Sequence, residues 1–209
     1  MIRIKICGIT NVADALAAID AGANLLGFNF YAKSRRHISE EDAAKIRPRL
    51  PKKVEAVGIF VNAPPADASA LCKALKLDVA QLHGDESPET VAQVARSLPV
   101  WKVFRVESDF HLGTLDEYPR ASAFLFDAAH TGQYGGTGRI TDWDVARRAA
   151  LKHRIILAGG LNIENVAAAV RIVRPYAVDV ASGVESRPGK KDHGRILEFI
   201  QEVRRGERK

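Results

Sequence analysis

The chain has 209 residues, 46% of them hydrophobic and 27% charged, with a formal net charge of +6 at pH 7. That balance suits an ordinary soluble globular protein, and no apolar run reaches membrane-spanning length. The two cysteines, Cys7 and Cys72, form neither a disulfide framework nor a zinc-ligand spacing. With no basic-then-apolar leader in MIRIKICGIT, a reducing cytoplasmic setting is expected.

Short β-branched runs recur along the chain: IRIKIC (2–7), LLGFNF (25–30), VEAVGIFV (54–61), DVAQLH (78–83), VWKVFRV (100–106), AFLFD (123–127), RIILA (154–158) and AVDVAS (177–182). Each is the length and character of a buried parallel strand. Amphipathic stretches lie between them, for example NVADALAAIDAG (11–22), DASALCKALK (67–76) and IENVAAAVRIV (163–173). Asn11, Asn162 and Ser87 read as N-caps, Pro88 as a first helical residue and Gly22 as a C-cap. Residues 107–120 are irregular, so the fifth helix is expected to be short or displaced. The first loop, CGIT, carries no dinucleotide or P-loop fingerprint. Eight β/α units without a linker predict one α/β domain over residues 1–209, a single (β/α)8 TIM barrel. The basic residues at about 204–209 read as a solvated tail.

A barrel places its chemistry where strands end and the following loops begin. Gly159 and Gly160 after strand 7, with Ser182 and Gly183 after strand 8, stand where barrels commonly hold phosphate. Without a Cβ, backbone N–H groups approach an anion closely, and SGVE could open a short helix aimed at it. Arg36, beside Lys33 and Arg35, could hold a carboxylate through its planar fork. Asp127 ends an otherwise apolar strand and is a proton-carrier candidate. Asp179 could position substrate or support the phosphate loop, and His83 is a secondary rim residue. Cys7 remains as a nucleophile or base, its thiolate stabilised by nearby cations, whereas Cys72 reads as core packing on the third helix.

The net positive charge favours an anionic partner. Nucleic acid would be one, but aromatics make up only 7% of the chain and no arginine stripe interleaves with them. A small phosphorylated substrate bearing a carboxylate fits better.

Taken together, KICGIT, GFNFYAKSRRHIS, VGIFVN, QLHGDE, GGTGRITDW, AGGLNIENV and VDVASGVESRPGKKD resemble the phosphoribosylanthranilate isomerases of tryptophan biosynthesis, in order and over nearly the whole chain. The resemblance implies a cofactor-free barrel without a metal. It also implies an Amadori rearrangement of N-(5-phospho-β-D-ribosyl)anthranilate into 1-(2-carboxyphenylamino)-1-deoxy-D-ribulose 5-phosphate. It assigns Cys7 as general base, Asp127 as general acid, Arg36 to the anthranilate carboxylate, and the loops at Gly159–Gly160 and Ser182–Gly183 to phosphate. Gly8 would leave room for substrate beside Cys7. Ala32 and Ala158 depart from the Pro and Ser that the family often carries there. The related isomerase of histidine biosynthesis is the alternative, but it resembles a design with Asp at the position of Cys7. Monomer and homodimer are both compatible with the pattern.

Overall fold

A computed structural model describes residues 1–128 and 141–208. Eight parallel strands close into a barrel in chain order: β1 (Arg3–Cys7), β2 (Leu25–Asn29), β3 (Glu55–Phe60), β4 (Val79–Leu82), β5 (Val100–Val106), β6 (Ala123–Ala128), β7 (Ile155–Leu157) and β8 (Ala177–Val180). Closure is made by β1 against β8, with Lys5 opposite Asp179. Helices α1 (Val12–Ala21), α2 (Glu40–Ile46), α3 (Pro65–Ala74), α4 (Pro88–Val94), α5 (Trp143–Ala150), α6 (Val166–Val173) and α7 (His193–Glu207) fill the connections. The connection after β5 carries only a 3-10 turn, Leu112–Glu117, in keeping with its irregular sequence.

Side chains two apart on a strand share a face, and this parity sorts the core into two layers. Leu25, Val57, Val79, Trp101, Val103, Leu125, Ile156 and Ala177 pack together inside the barrel. Their neighbours Leu26, Ala56, Ala80, Phe124, Leu157 and Val178 pack outward among the helices. Cys72 lies in that outer layer, and burial pushes its thiol up to about 12. Among the described residues, no helix is long and apolar enough to cross a membrane.

Local signals set most helix ends. Asn11 and Ser87 accept from Asp14 N and Thr90 N, and Gly22 closes α1 at φ 106°. Two expectations change. Asn162 does not cap α6 directly; Asn162 and Asn165 exchange backbone-to-side-chain hydrogen bonds of 2.9 and 3.0 Å, and α6 begins after Asn165. The C-terminal residues are not a solvated tail through Glu207, because α7 continues that far. Val203 is buried, and Arg204 Nη1 donates to Ile2 O at 2.7 Å and Glu207 Oε2 at 2.8 Å. Only Lys209 of that segment lies outside the described residues.

Candidate active site

The C-terminal strand ends surround a pocket that opens to solvent. Cys7 (β1), Arg36 (after β2), His83 (after β4), Asp127 (β6), Gly159 and Gly160 (after β7), and Asp179 and Ser182 (β8 and beyond) all line it. Six strand ends thus deliver residues that are up to 175 positions apart in the chain to one mouth. Gly183 stands directly behind the lining Ser182. A Cβ there would meet Leu161 O at 2.2 Å, so this glycine lets the last two loops pack together.

Cys7 and Lys5 share the inner face of β1. Lys5 is fully buried, and its Nζ donates to Asp179 Oδ1 at 3.0 Å across the β1–β8 seam. Burial pushes the Cys7 thiol up, the Asp179 carboxylate adds to this, and Lys5 and Lys191 pull the other way without overcoming it. The expectation of a thiolate held by cations is corrected accordingly. The cations are present, but desolvation outweighs them and the net push on the thiol is upward.

Asp127 Oδ1 accepts from Ala128 N at 2.9 Å, which leaves Oδ2 facing His83 Nε2 at 3.4 Å. On its other side the His83 ring meets Gln81, whose Nε2 lies 3.2 Å from Nδ1. His83 lines the pocket beside Asp127, and among the described residues its Nε2 makes no hydrogen bond there. Residues 129–140, including the GGTGRI part of one family-like motif (135–140), lie outside the described residues.

Gly159 and Gly160 adopt φ of 78° and 67°, a conformation that strains side-chain-bearing residues. A Cβ on Gly159 would lie 2.2 Å from Thr141 Oγ1 and 2.4 Å from Ala128 N. The residue short of this turn, Ala158, accepts from Thr141 Oγ1 through its carbonyl at 2.8 Å. SGVE forms a single 3-10 turn, Ser182–Val184, rather than a longer helix.

Arg36 is not an open fork. Its Nε and Nη2 donate to Glu185 Oε1 and Oε2 at 2.8 and 2.7 Å. Glu185 also accepts from Lys191 Nζ at 2.9 Å, and it sits on β9 (Glu185–Arg187), which pairs with β10 (Lys190–Lys191) in a small hairpin. Burial pushes the Glu185 carboxyl up, but Arg36 and Lys191 hold it below its ordinary value. Gly8 serves this arrangement directly. Its φ is 75°, and a Cβ would meet Arg36 Cδ at 2.6 Å. The side chain that Gly8 makes room for is that of Arg36, a neighbour the sequence did not point to.

Sequence reasoning passed over Lys5, Glu185 and Lys191. Lys5 carried a usable signal, since a charged residue two before Cys7 on a barrel strand must point inward with it. Glu185 and Lys191 depend on the fold of the hairpin, which has no sequence signature of its own. Among the described residues, no group of three or more His, Cys, Asp or Glu side chains could hold a metal ion.

A family described as N-(5'phosphoribosyl)anthranilate (PRA) isomerase matches residues 4–202. An N-(5'-phosphoribosyl)anthranilate isomerase from Pelobacter propionicus is 51% identical over 96% of this chain and 95% of its own. The crystal structure of phosphoribosyl anthranilate isomerase from Thermotoga maritima superposes with a TM-score of 0.91 at 40% identity, covering 98% of this chain and 99% of that one. A further isomerase structure, at TM-score 0.87, 40% identity and the same coverage, is a complex with reduced 1-(o-carboxyphenylamino)-1-deoxyribulose 5-phosphate. With this fold, this pocket and these relatives, the chain belongs to the N-(5'-phosphoribosyl)anthranilate isomerase family.

Proposed function

We propose that this isomerase opens and rearranges N-(5-phospho-β-D-ribosyl)anthranilate with Asp127 as general acid and Cys7 as general base. The carrying observation is that both side chains line one pocket from β6 and β1, with anion-binding features on either side. The phosphate docks at Gly159 and Gly160, whose backbone is left-handed, and at Ser182 in the 3-10 turn after β8. The anthranilate carboxylate meets Arg36. With Nε and Nη2 engaged by Glu185, the two N–H groups of Nη1 remain for it.

Asp127 Oδ2 protonates the furanose ring oxygen, and the C1–O bond breaks to give a protonated Schiff base. Cys7 thiolate then takes the proton from C2. The electron pair moves into the C1–C2 bond, neutralises the iminium and gives an enolamine, which tautomerises to the ketone. Asp179, at the mouth and held by Lys5, positions the sugar hydroxyls. No redox partner is needed, because C1 is reduced as C2 is oxidised. A working thiol base favours a reducing, cytoplasmic setting.

Loss of the anthranilate substrate's fluorescence reads the reaction directly. The wild-type chain is expected to convert it and to leave the phosphoribosyl precursor of the histidine pathway essentially untouched. Conversion of that precursor alone would overturn the reading. Asp127→Asn is expected to lower kcat by about a thousandfold while substrate still binds, within the range for a lost general acid. Near-normal turnover would remove Asp127 from the acid role.

A further inference from the structure

Lys5 lies wholly inside the barrel, with 0% of its surface exposed, one layer beneath the pocket. Its inner-layer companions are apolar: Leu25 on β2, Val57 on β3 and Val79 on β4. A methionine or leucine would fill the same space without desolvating a charge. The ammonium instead has two partners that both face the mouth. One is Asp179 Oδ1, which accepts its hydrogen bond at 3.0 Å, and the other is Cys7, two residues on along the same inner face of β1, whose side chain lines the pocket. Asp179 is directly opposite Lys5 in the strand register, so the pair is fixed by the β1–β8 seam rather than by flexible loops.

We infer that Lys5 is a positioning residue whose ammonium, anchored by Asp179, governs how readily Cys7 gives up its proton. This rests on the assignment of Cys7 as the base. Among the described residues, the other charged or titratable groups around Cys7 are Lys191 on β10, Arg36 after β2, Asp127 on β6 and His83 after β4. Glu185 on β9 occupies both Arg36 and Lys191, so their charge is already partly answered. Lys5, on the thiol's own strand, and Asp179, on the neighbouring β8, are two groups of opposite sign built into the barrel wall beside it. Removing one or the other must therefore move the thiol in opposite directions, a signature that a packing role does not produce.

The test is the rate at which iodoacetamide alkylates Cys7, followed by mass spectrometry of its peptide from about pH 6 to 10, a span that brackets an ordinary thiol. Cys72, buried in the helix layer, serves as the internal control for global opening. Lys5→Met is expected to slow alkylation at pH 7.5 by roughly tenfold and to move the curve alkaline by about one unit. Asp179→Asn is expected to speed it by a similar factor, with the curve moving toward acid. The acid limb of the kcat profile of Lys5→Met moves alkaline with the alkylation curve. Should Lys5→Met fail to fold, judged by Cys72 reactivity, the Asp179→Asn arm still decides. Unchanged or slower alkylation in Asp179→Asn, or an unshifted curve in folded Lys5→Met, overturns the role of Lys5. These outcomes are separate from the base assignment, which Cys7→Ala turnover reads by itself.

Discussion

Two buried lysine–carboxylate pairs in this barrel have the same chemistry and opposite surroundings. Lys102, on the outward face of β5, gives its Nζ to Glu86 Oε2 and to Gly84 O, each at 2.7 Å. The same Glu86 carboxylate accepts from Gly84 N at 3.0 Å and Asn62 N at 2.9 Å. Every strong partner is backbone or the other member of the pair, so the network is closed and fastens the loops after β3 and β4 to the wall. Lys5–Asp179 is open on one side, since Asp179 lines the pocket beside Cys7 on the strand that carries Lys5. Taking an ion from water costs several kcal/mol even after relaxation. Around Lys102 backbone hydrogen bonds offset that cost and hold the scaffold. Around Lys5 the charge is left available to the site.

The contrast breaks most visibly on stability. Lys102→Met strands Glu86 as a buried charge and is expected to lower unfolding free energy by about 3–5 kcal/mol, measured by urea denaturation, with kcat per folded molecule within about twofold of wild type. A large kcat loss in folded Lys102→Met would erase the distinction between the pairs. Arg36→Met acts on the pocket side. Loss of a charged hydrogen bond worth about 1.5–3 kcal/mol is expected to raise KM by roughly ten- to a hundredfold with a smaller change in kcat. An unchanged KM would place the carboxylate elsewhere.

Smaller effects sharpen the same boundary. Gly8→Ala puts a Cβ at positive φ and against Arg36, so a stability loss of about 1–2 kcal/mol is expected by thermal melting, together with weaker substrate binding. Weakened stability with unaltered KM would separate Gly8 from the Arg36 geometry. Glu185 gives the smallest signal. Its folded carboxyl sits below its ordinary value, so its contribution is present above the unfolded pKa and is lost as pH falls through the folded one. Glu185→Gln is expected to flatten that acid limb of the stability curve, and an unchanged limb would discount the Arg36–Glu185–Lys191 cluster.

Much of this was legible in the sequence, for identifiable reasons. Strand runs such as VWKVFRV and caps such as Asn11 and Ser87 are local signals, and the barrel followed from their count and order. Cys7 and Asp127 stood out because polar residues ending apolar strands are unusual, and the pocket brings both together with Asp179, Gly159 and Gly160. What escaped was contact across the chain. Arg36 meets Glu185 across 149 positions, and Gly8 yields to the Arg36 side chain. No local pattern encodes either. The thiol's direction was also missed, because cations nearby are visible in a sequence while desolvation is a property of the folded interior.

The thiol base is tested most directly by turnover of Cys7→Ala in the fluorescence assay at saturating substrate, with binding checked independently by titration. Substrate is expected to bind nearly as before while kcat falls by about a thousandfold or more, the scale of losing a positioned base. Turnover within about tenfold of wild type would contradict proton abstraction by Cys7.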